Sequence, residues 1–74
     1  MKYKFKTTEE KLDEGISMFR NNGGRINTET GFFSISGVEG QIAFKEDVLT
    51  VVVTDKPFLA SWGMIESKLN DFFN

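Results

Sequence analysis

The chain has 74 residues, and a domain of this size buries only about 60% of the surface that its unfolded chain exposes. It contains no cysteine and no histidine, which excludes a disulfide framework, a thiolate metal site and a histidine general base. Nine basic and eleven acidic residues give a net charge of −2, so the charge balance predicts no nucleic-acid partner. Hydrophobic residues make up 39% of the chain, which predicts a folded domain.

The first predicted element is a strand over residues 2–6. Lys2, Lys4 and Lys6 alternate with Tyr3 and Phe5, as in a strand with one face buried. The alternation predicts lysines on a solvated face near a sheet edge and aromatic rings in the core.

A helix is predicted to follow this strand. Thr7 and Glu10 have the spacing of a capping box, in which the Thr7 hydroxyl accepts from an early helix amide and Glu10 reaches back to the Thr7 amide. Asn21-Asn22-Gly23-Gly24 ends the helix, because Asn and Gly tolerate the left-handed conformation. A narrow apolar stripe lies between these signals and consists of Leu12, Ile16 and Phe19.

Four antiparallel strands are predicted between residues 25 and 54. A two-residue loop at Glu46-Asp47 pairs Phe44 with Leu49, and a four-residue loop at residues 37–40 pairs Phe33 with Phe44, which places Phe44 at the centre of the sheet. A turn near Glu29-Thr30 sets Ile26 opposite Phe33 in the same way. The predicted apolar face contains Ile26, Phe33, Ile35, Ile42, Phe44, Leu49, Val51 and Val53. The other face is mostly polar but also carries Phe32, Val38, Val48 and Val52.

The period changes after Pro57, and a second amphipathic helix is predicted. Its apolar residues recur at spacings of four, three, four and three: Phe58, Trp62, Ile65, Leu69 and Phe72. Pro57 suits the first turn and Asp55 is a candidate cap, whereas Ser61 is the cap if residues 58–60 form a separate turn. The whole chain, residues 1–74, therefore predicts one α+β domain of order β-α-β-β-β-β-α, with both helices on one face of an antiparallel sheet.

Candidate catalytic groups are limited to serine, lysine and carboxylates. None of the serines lies in a glycine elbow between a strand and a helix, and the carboxylates are explained by helix starts and loops. The spacing of a calcium-binding loop is absent from the sequence. We therefore expect no catalytic, cofactor-binding or metal-binding residues. The alternative is a small enzyme that gathers Ser, Lys and a carboxylate in one cleft.

Six apolar residues remain after the inner face of the sheet and the seams of both helices have been assigned to the core. Together they predict a partner surface. Phe32, Val48 and Val52 lie on the outer face of the sheet, while Leu59, Met64 and Phe73 lie at the margin of the second helix. The occupant of this surface is either a second copy of the chain or another protein, because a symmetric interface leaves no recognisable residue pattern.

The sequence also predicts a location in the cytoplasm. Its first residues include lysines but no apolar stretch that would indicate a secretory signal. No run approaches the roughly 18 apolar residues of a membrane span, so none is expected.

Several short motifs lie in the second half of the chain. They are Ser36-Gly37-Val38-Glu39-Gly40-Gln41-Ile42, the hairpin that continues to Val53, Pro57-Phe58-Leu59-Ala60-Ser61-Trp62-Gly63-Met64-Ile65-Glu66, and Leu69-Asn70-Asp71-Phe72-Phe73. Over about half of the chain they resemble the bacterial family of polyhydroxyalkanoic acid system proteins, although Lys56-Pro57 stands where that family tends to have Leu-Gly. The resemblance implies a small accessory protein of the bacterial cytoplasm, without known catalytic residues, that associates with storage granules or is encoded in the neighbourhood of their genes.

Overall fold

The computed structural model describes residues 1–73 and confirms the predicted α+β class and element order. The strands are β1 (Lys2–Lys6), β2 (Arg25–Ile26), β3 (Phe32–Ile35), β4 (Val38–Lys45) and β5 (Val48–Asp55). The helices are α1 (Glu9–Asn21) and α2 (Trp62–Phe73). The antiparallel sheet has the order β1-β5-β4-β3-β2, so the first strand pairs with the last one. The helices cover one face, which we call the inner face.

Strand β1 has the predicted alternation. Tyr3 and Phe5 are buried on the inner face, and the three lysines between and around them are exposed. Tyr3 pairs with Val51 and Phe5 with Leu49, so both rings enter the core beside the most buried part of β5. The rings and the lysines thus lie on opposite faces, as expected.

The register of the sheet agrees with the prediction at two strand pairs and differs at the third. Phe44 pairs with Leu49 and Ile26 with Phe33, as expected. The predicted pairing of Phe33 with Phe44 is wrong, because the β3–β4 loop has two residues instead of four. Ser36 and Gly37 form this loop with φ angles of 50° and 81°, as the two central residues of a type I′ turn require.

The shorter loop changes the centre of the sheet but not its faces. The partner of Phe33 moves from residue 44 to residue 40, an even number of positions, so each side chain stays on the predicted face. Phe44 is only partly buried, and Leu49 and Val51 form the fully buried centre, which corrects the central place expected for Phe44. The prediction that Val38 lies on the outer face is also wrong, because Val38 is buried on the inner face.

Helix α1 begins one residue later than the capping-box prediction. The Thr8 hydroxyl, not that of Thr7, accepts a hydrogen bond from the Lys11 amide at 3.2 Å. The Thr7 amide donates to the Asp47 carbonyl at 3.0 Å, so it is not free for the Glu10 side chain. The Thr7 hydroxyl is buried and has no hydrogen-bond partner within residues 1–73.

The end of α1 joins the helices to the sheet. Gly23, at φ 87°, and Gly24 donate to the carbonyls of Arg20 and Phe19, the two bonds of a Schellman motif. The Phe19 ring is 6.0 Å from that of Phe33 and 5.3 Å from that of Phe72. This aromatic cluster connects α1, α2 and β3 in one core.

Candidate functional site

Helix α2 starts at Trp62, and this start determines what is left exposed before it. The Ser61 hydroxyl accepts from the Met64 amide at 3.2 Å, and the Ser61 carbonyl accepts from the Ile65 amide at 3.2 Å. Ser61 is therefore the cap, and Asp55 is not. Residues 58–60 form a separate connection, and the predicted place of Phe58 on the helix seam is wrong.

Phe58 and Leu59 project from this connection into solvent. Their exposed fractions are 94% and 90%, which leaves both side chains almost completely wet. The Ala60 amide donates to the Pro57 carbonyl at 3.1 Å, which closes a turn around them. We call these two residues and their flanking bonds the Phe58–Leu59 turn.

Lys56 braces the Phe58–Leu59 turn from one side. Its ammonium donates to the Ala60 carbonyl at 2.7 Å and to the Pro57 carbonyl at 3.4 Å. The same ammonium lies 5.4 Å from the centre of the Trp62 ring, within cation–π range. Lys56 therefore bonds carbonyls at both ends of the turn and holds its backbone.

An open apolar cleft of about 330 Å³ lies beside this turn. It runs between α2 and the β3–β4 hairpin, and the end of α1 closes it near Asn22. Its apolar lining residues are Ile35, Val38, Ala60, Met64, Ile65, Leu69 and Phe72. Ala60 belongs to both the turn and the cleft, and Met64 is 63% exposed at the cleft wall. Turn and cleft together form the apolar site.

The structure divides the six residues predicted as a partner surface among three places. Leu59 and Met64 belong to the apolar site. Phe32, Val48 and Val52 lie on the outer face of the sheet, where Phe32 is 40% exposed and the two valines are half-buried. Phe73 is buried in the core beside Phe19, so its assignment to the surface is corrected.

On the outer face the apolar groups are interrupted by polar ones. Phe32 and Val52 both pair with Gln41, which separates them, and Val48 lies between Lys6 and Lys45. At the apolar site Phe58, Leu59 and Met64 are all more exposed than Phe32, although Asn22, Ser36 and Lys68 also line the cleft. The apolar site is therefore the stronger candidate for a docking surface.

Sequence reasoning missed Phe58 because its spacing to Trp62 fits a helix seam. The sequence also offered the alternative of a helix cap at Ser61. That cap starts α2 after Phe58, and it is the signal that would have placed Phe58 outside the helix. Spacing alone cannot choose between these two helix starts, since both leave Trp62, Ile65 and Leu69 on one side of the helix.

The groups required by the enzyme alternative do not converge in the cleft. Ser36 and Lys68 line it, but within residues 1–73 no Asp or Glu does. A smaller cavity of about 290 Å³ at the start of α1 is lined by Lys6, Thr7, Thr8, Lys11 and Asp47. It contains no serine, so in neither cavity do Ser, Lys and a carboxylate meet.

Within residues 1–73 no group of three or more acidic side chains is placed to hold a metal ion. Neither α1 nor α2 is long and apolar enough to cross a membrane.

The pKa of Tyr3 is shifted, and its hydroxyl contacts the first residue of α2. Burial of Tyr3, and secondarily the negative charge of Glu66, raise the pKa of its hydroxyl above the ordinary value of 10.0. The hydroxyl donates to the Trp62 carbonyl at 3.3 Å and thereby connects β1 to the first residue of α2.

Comparisons with known proteins give no relative for this architecture. No family model, no curated protein and no solved structure matches the chain.

Proposed function

We propose that this chain is a non-catalytic accessory protein of the bacterial cytoplasm that acts by binding a partner at the apolar site. One observation carries the proposal: Phe58 and Leu59 are 94% and 90% exposed in a turn that borders an open apolar cleft. Single exposed apolar groups are common on proteins, but two adjacent bulky side chains beside an unfilled cleft indicate a surface that is covered in use.

The energy available at this surface is large for so small a domain. Burying a Leu or Phe side chain contributes about 1.5–3 kcal/mol for each residue. The hydrogen bonds of Lys56 and Ala60 hold the turn in place before a partner arrives, so less conformational entropy is lost on binding. Aromatic side chains are enriched at interfaces, which makes Phe58 the main candidate anchor.

The partner that we propose is the surface of a polyhydroxyalkanoate granule. The support for this partner is the sequence resemblance, and the Pro57-Phe58-Leu59-Ala60 part of that resemblance coincides with the exposed turn. An aliphatic polyester surface carries no charge and offers the apolar contacts that Phe58 and Leu59 require. The absence of any carboxylate from the cleft lining, within residues 1–73, suits the same kind of surface.

The test is co-sedimentation of the purified protein with polyhydroxybutyrate particles. We expect the natural chain to pellet with the particles and the double variant Phe58→Ser/Leu59→Ser to remain in the supernatant. The matched control is Phe32→Ser, which removes an exposed aromatic ring from the outer face and should pellet like the natural chain.

Two outcomes contradict this proposal. If the natural chain does not bind the particles, the granule version is wrong. If Phe32→Ser abolishes binding while the double variant keeps it, the docking surface is the outer face of the sheet.

A fluorescently tagged chain in polymer-accumulating cells gives an independent measurement. We expect enrichment at granules for the natural sequence and a diffuse signal for the double variant.

A further inference from the structure

We infer that the apolar site is self-complementary and that a second copy of the chain occupies it when no other partner is present. In the resulting dimer, Phe58 and Leu59 of each protomer enter the cleft of the other across a two-fold axis. This inference rests on the proposed function for its location, because it uses the same site. Beyond the proposed function, it states that the occupant is a second copy of the chain and that each protomer inserts its turn into the cleft of the other.

Self-complementarity follows from the position of the turn relative to the cleft. A two-fold interface requires that one surface patch contain both the inserted group and the pocket that receives it. Here the inserted groups end at Ala60, and Ala60 is itself a lining residue of the cleft. The two halves of the contact are therefore adjacent on one protomer, so two copies can exchange their turns through a single compact interface.

The turn does not fill the cleft of its own chain. Phe58 and Leu59 retain 94% and 90% of their exposure, so neither packs on the lining residues. The bond from Lys56 to the Ala60 carbonyl and the bond from Ala60 to the Pro57 carbonyl hold the backbone of the turn in place. A second chain can supply the same side chains without breaking these bonds.

The available area agrees with a weak dimer. An aromatic side chain buries roughly 150–250 Å². Phe58, Leu59, Met64 and the cleft rim thus bring each protomer to on the order of 500 Å², or about 1,000 Å² for the pair, the lower limit of a specific interface. We therefore expect a dissociation constant in the micromolar range, so that another partner can displace the second copy.

Sedimentation equilibrium over a range of concentrations tests this inference with three variants. Phe58→Ser/Leu59→Ser removes the inserted groups, and Met64→Glu places a charge on the cleft wall. Each should weaken dimerisation by more than about tenfold, the effect of losing 1.4 kcal/mol. Phe32→Ser is the matched control on the outer face and should leave the dissociation constant unchanged.

Mixing the two defective variants gives a sharper readout. Each variant alone lacks both contacts, but a heterodimer joins the intact turn of Met64→Glu to the intact cleft of the double variant. The equimolar mixture should therefore associate more tightly than either variant by itself. An interface elsewhere on the molecule would not show this rescue.

The remaining outcomes separate this inference from the proposed function. A natural chain that stays monomeric at high micromolar concentration overturns the dimer, and particle binding that is still lost in Phe58→Ser/Leu59→Ser then leaves the docking site in place. If Phe32→Ser disrupts the dimer and the double variant does not, the interface is on the outer face of the sheet.

Thermal melts of dilute samples give a further check. A lower melting temperature of the double variant than of the natural chain would mean that the turn packs in its own cleft, which contradicts the inference.

Discussion

Phe33 lies opposite Gly40 in the β3–β4 pair, and its ring occupies the space that a side chain at position 40 would need. A Cβ atom at Gly40 would come within 2.7 Å of one carbon of this ring and would also collide with the carbonyl oxygen of Val52. Because backbone atoms on the neighbouring strand cannot move away cheaply, Gly40→Ala should lower the free energy of unfolding by about 1–3 kcal/mol. Urea denaturation measures this loss.

The matched control for Gly40 is Gly63, in the first turn of α2. A Cβ atom there would meet no heavy atom of the described residues within 4 Å. Gly63→Ala should therefore raise the free energy of unfolding by about 0.5–1 kcal/mol, since alanine has the higher helix propensity. Equal stability of Gly40→Ala and the natural chain would contradict the observed β3–β4 register.

The adjacent threonines before α1 should respond to substitution in opposite directions. Thr7→Val removes a buried hydroxyl that has no partner within residues 1–73, so it should raise the free energy of unfolding by about 1 kcal/mol. Thr8→Ala removes the cap of α1 and should lower it by about 1 kcal/mol. Chemical denaturation of the two variants decides which threonine is the cap, because the capping box expected from the sequence gives the reverse result.

Phe19 and Phe44 should differ clearly in their contribution to stability. Phe19 is 1% exposed and contacts three other aromatic rings, whereas Phe44 is only partly buried. Phe19→Ala should cost about 3–5 kcal/mol, a large part of the stability of a small domain. Phe44→Ala should cost no more than about half of that loss, since water already reaches its ring. Circular dichroism melts of the two variants provide the comparison, and equal losses would place Phe44 in the core after all.

Tyr3 should make the fold sensitive to alkaline pH. Its pKa is raised in the folded state, so its contribution to stability is intact below the ordinary pKa of 10.0 and declines as the pH rises above it. Tyr3→Phe should melt with a shallower alkaline decline than the natural chain, although it loses the 3.3 Å bond to the Trp62 carbonyl. Melting temperatures measured across this pH range test the difference, and parallel declines would mean that Tyr3 does not titrate differently on folding.

The parts of the fold that were predictable from the sequence are those fixed by periodicity. Alternation in β1 placed Tyr3 and Phe5 inside, and the stripe of α1 placed Phe19 inside, because one wrong step would bury lysines or carboxylates. The β3–β4 loop was not predictable in this way. A loop of two residues and a loop of four leave the same side chains on the same face, so the apolar pattern cannot choose between them.

The candidate site was only partly predictable for a related reason. Leu59 and Met64 were recognised as surplus to the sheet, but Phe58 fits the spacing of α2 and was assigned to its seam. Phe72 and Phe73 are adjacent and both rings lie near Phe19, but the Phe73 ring also lies beside Gly15 and is the more buried of the two, which spacing does not predict. The cleft depends on the relative placement of α2 and the β3–β4 hairpin, which no local pattern records.

The pairing of β1 with β5 has a consequence for synthesis of the chain. The partners Tyr3 and Val51, like Phe5 and Leu49, are far apart in sequence, while β3, β4 and β5 are joined by two-residue loops. During translation β1 leaves the ribosome before the other four strands, yet it has no strand to pair with until β5 has emerged. Its two aromatic rings therefore lack their β5 partners until that strand has emerged, and the three lysines of β1 keep the unpaired segment charged.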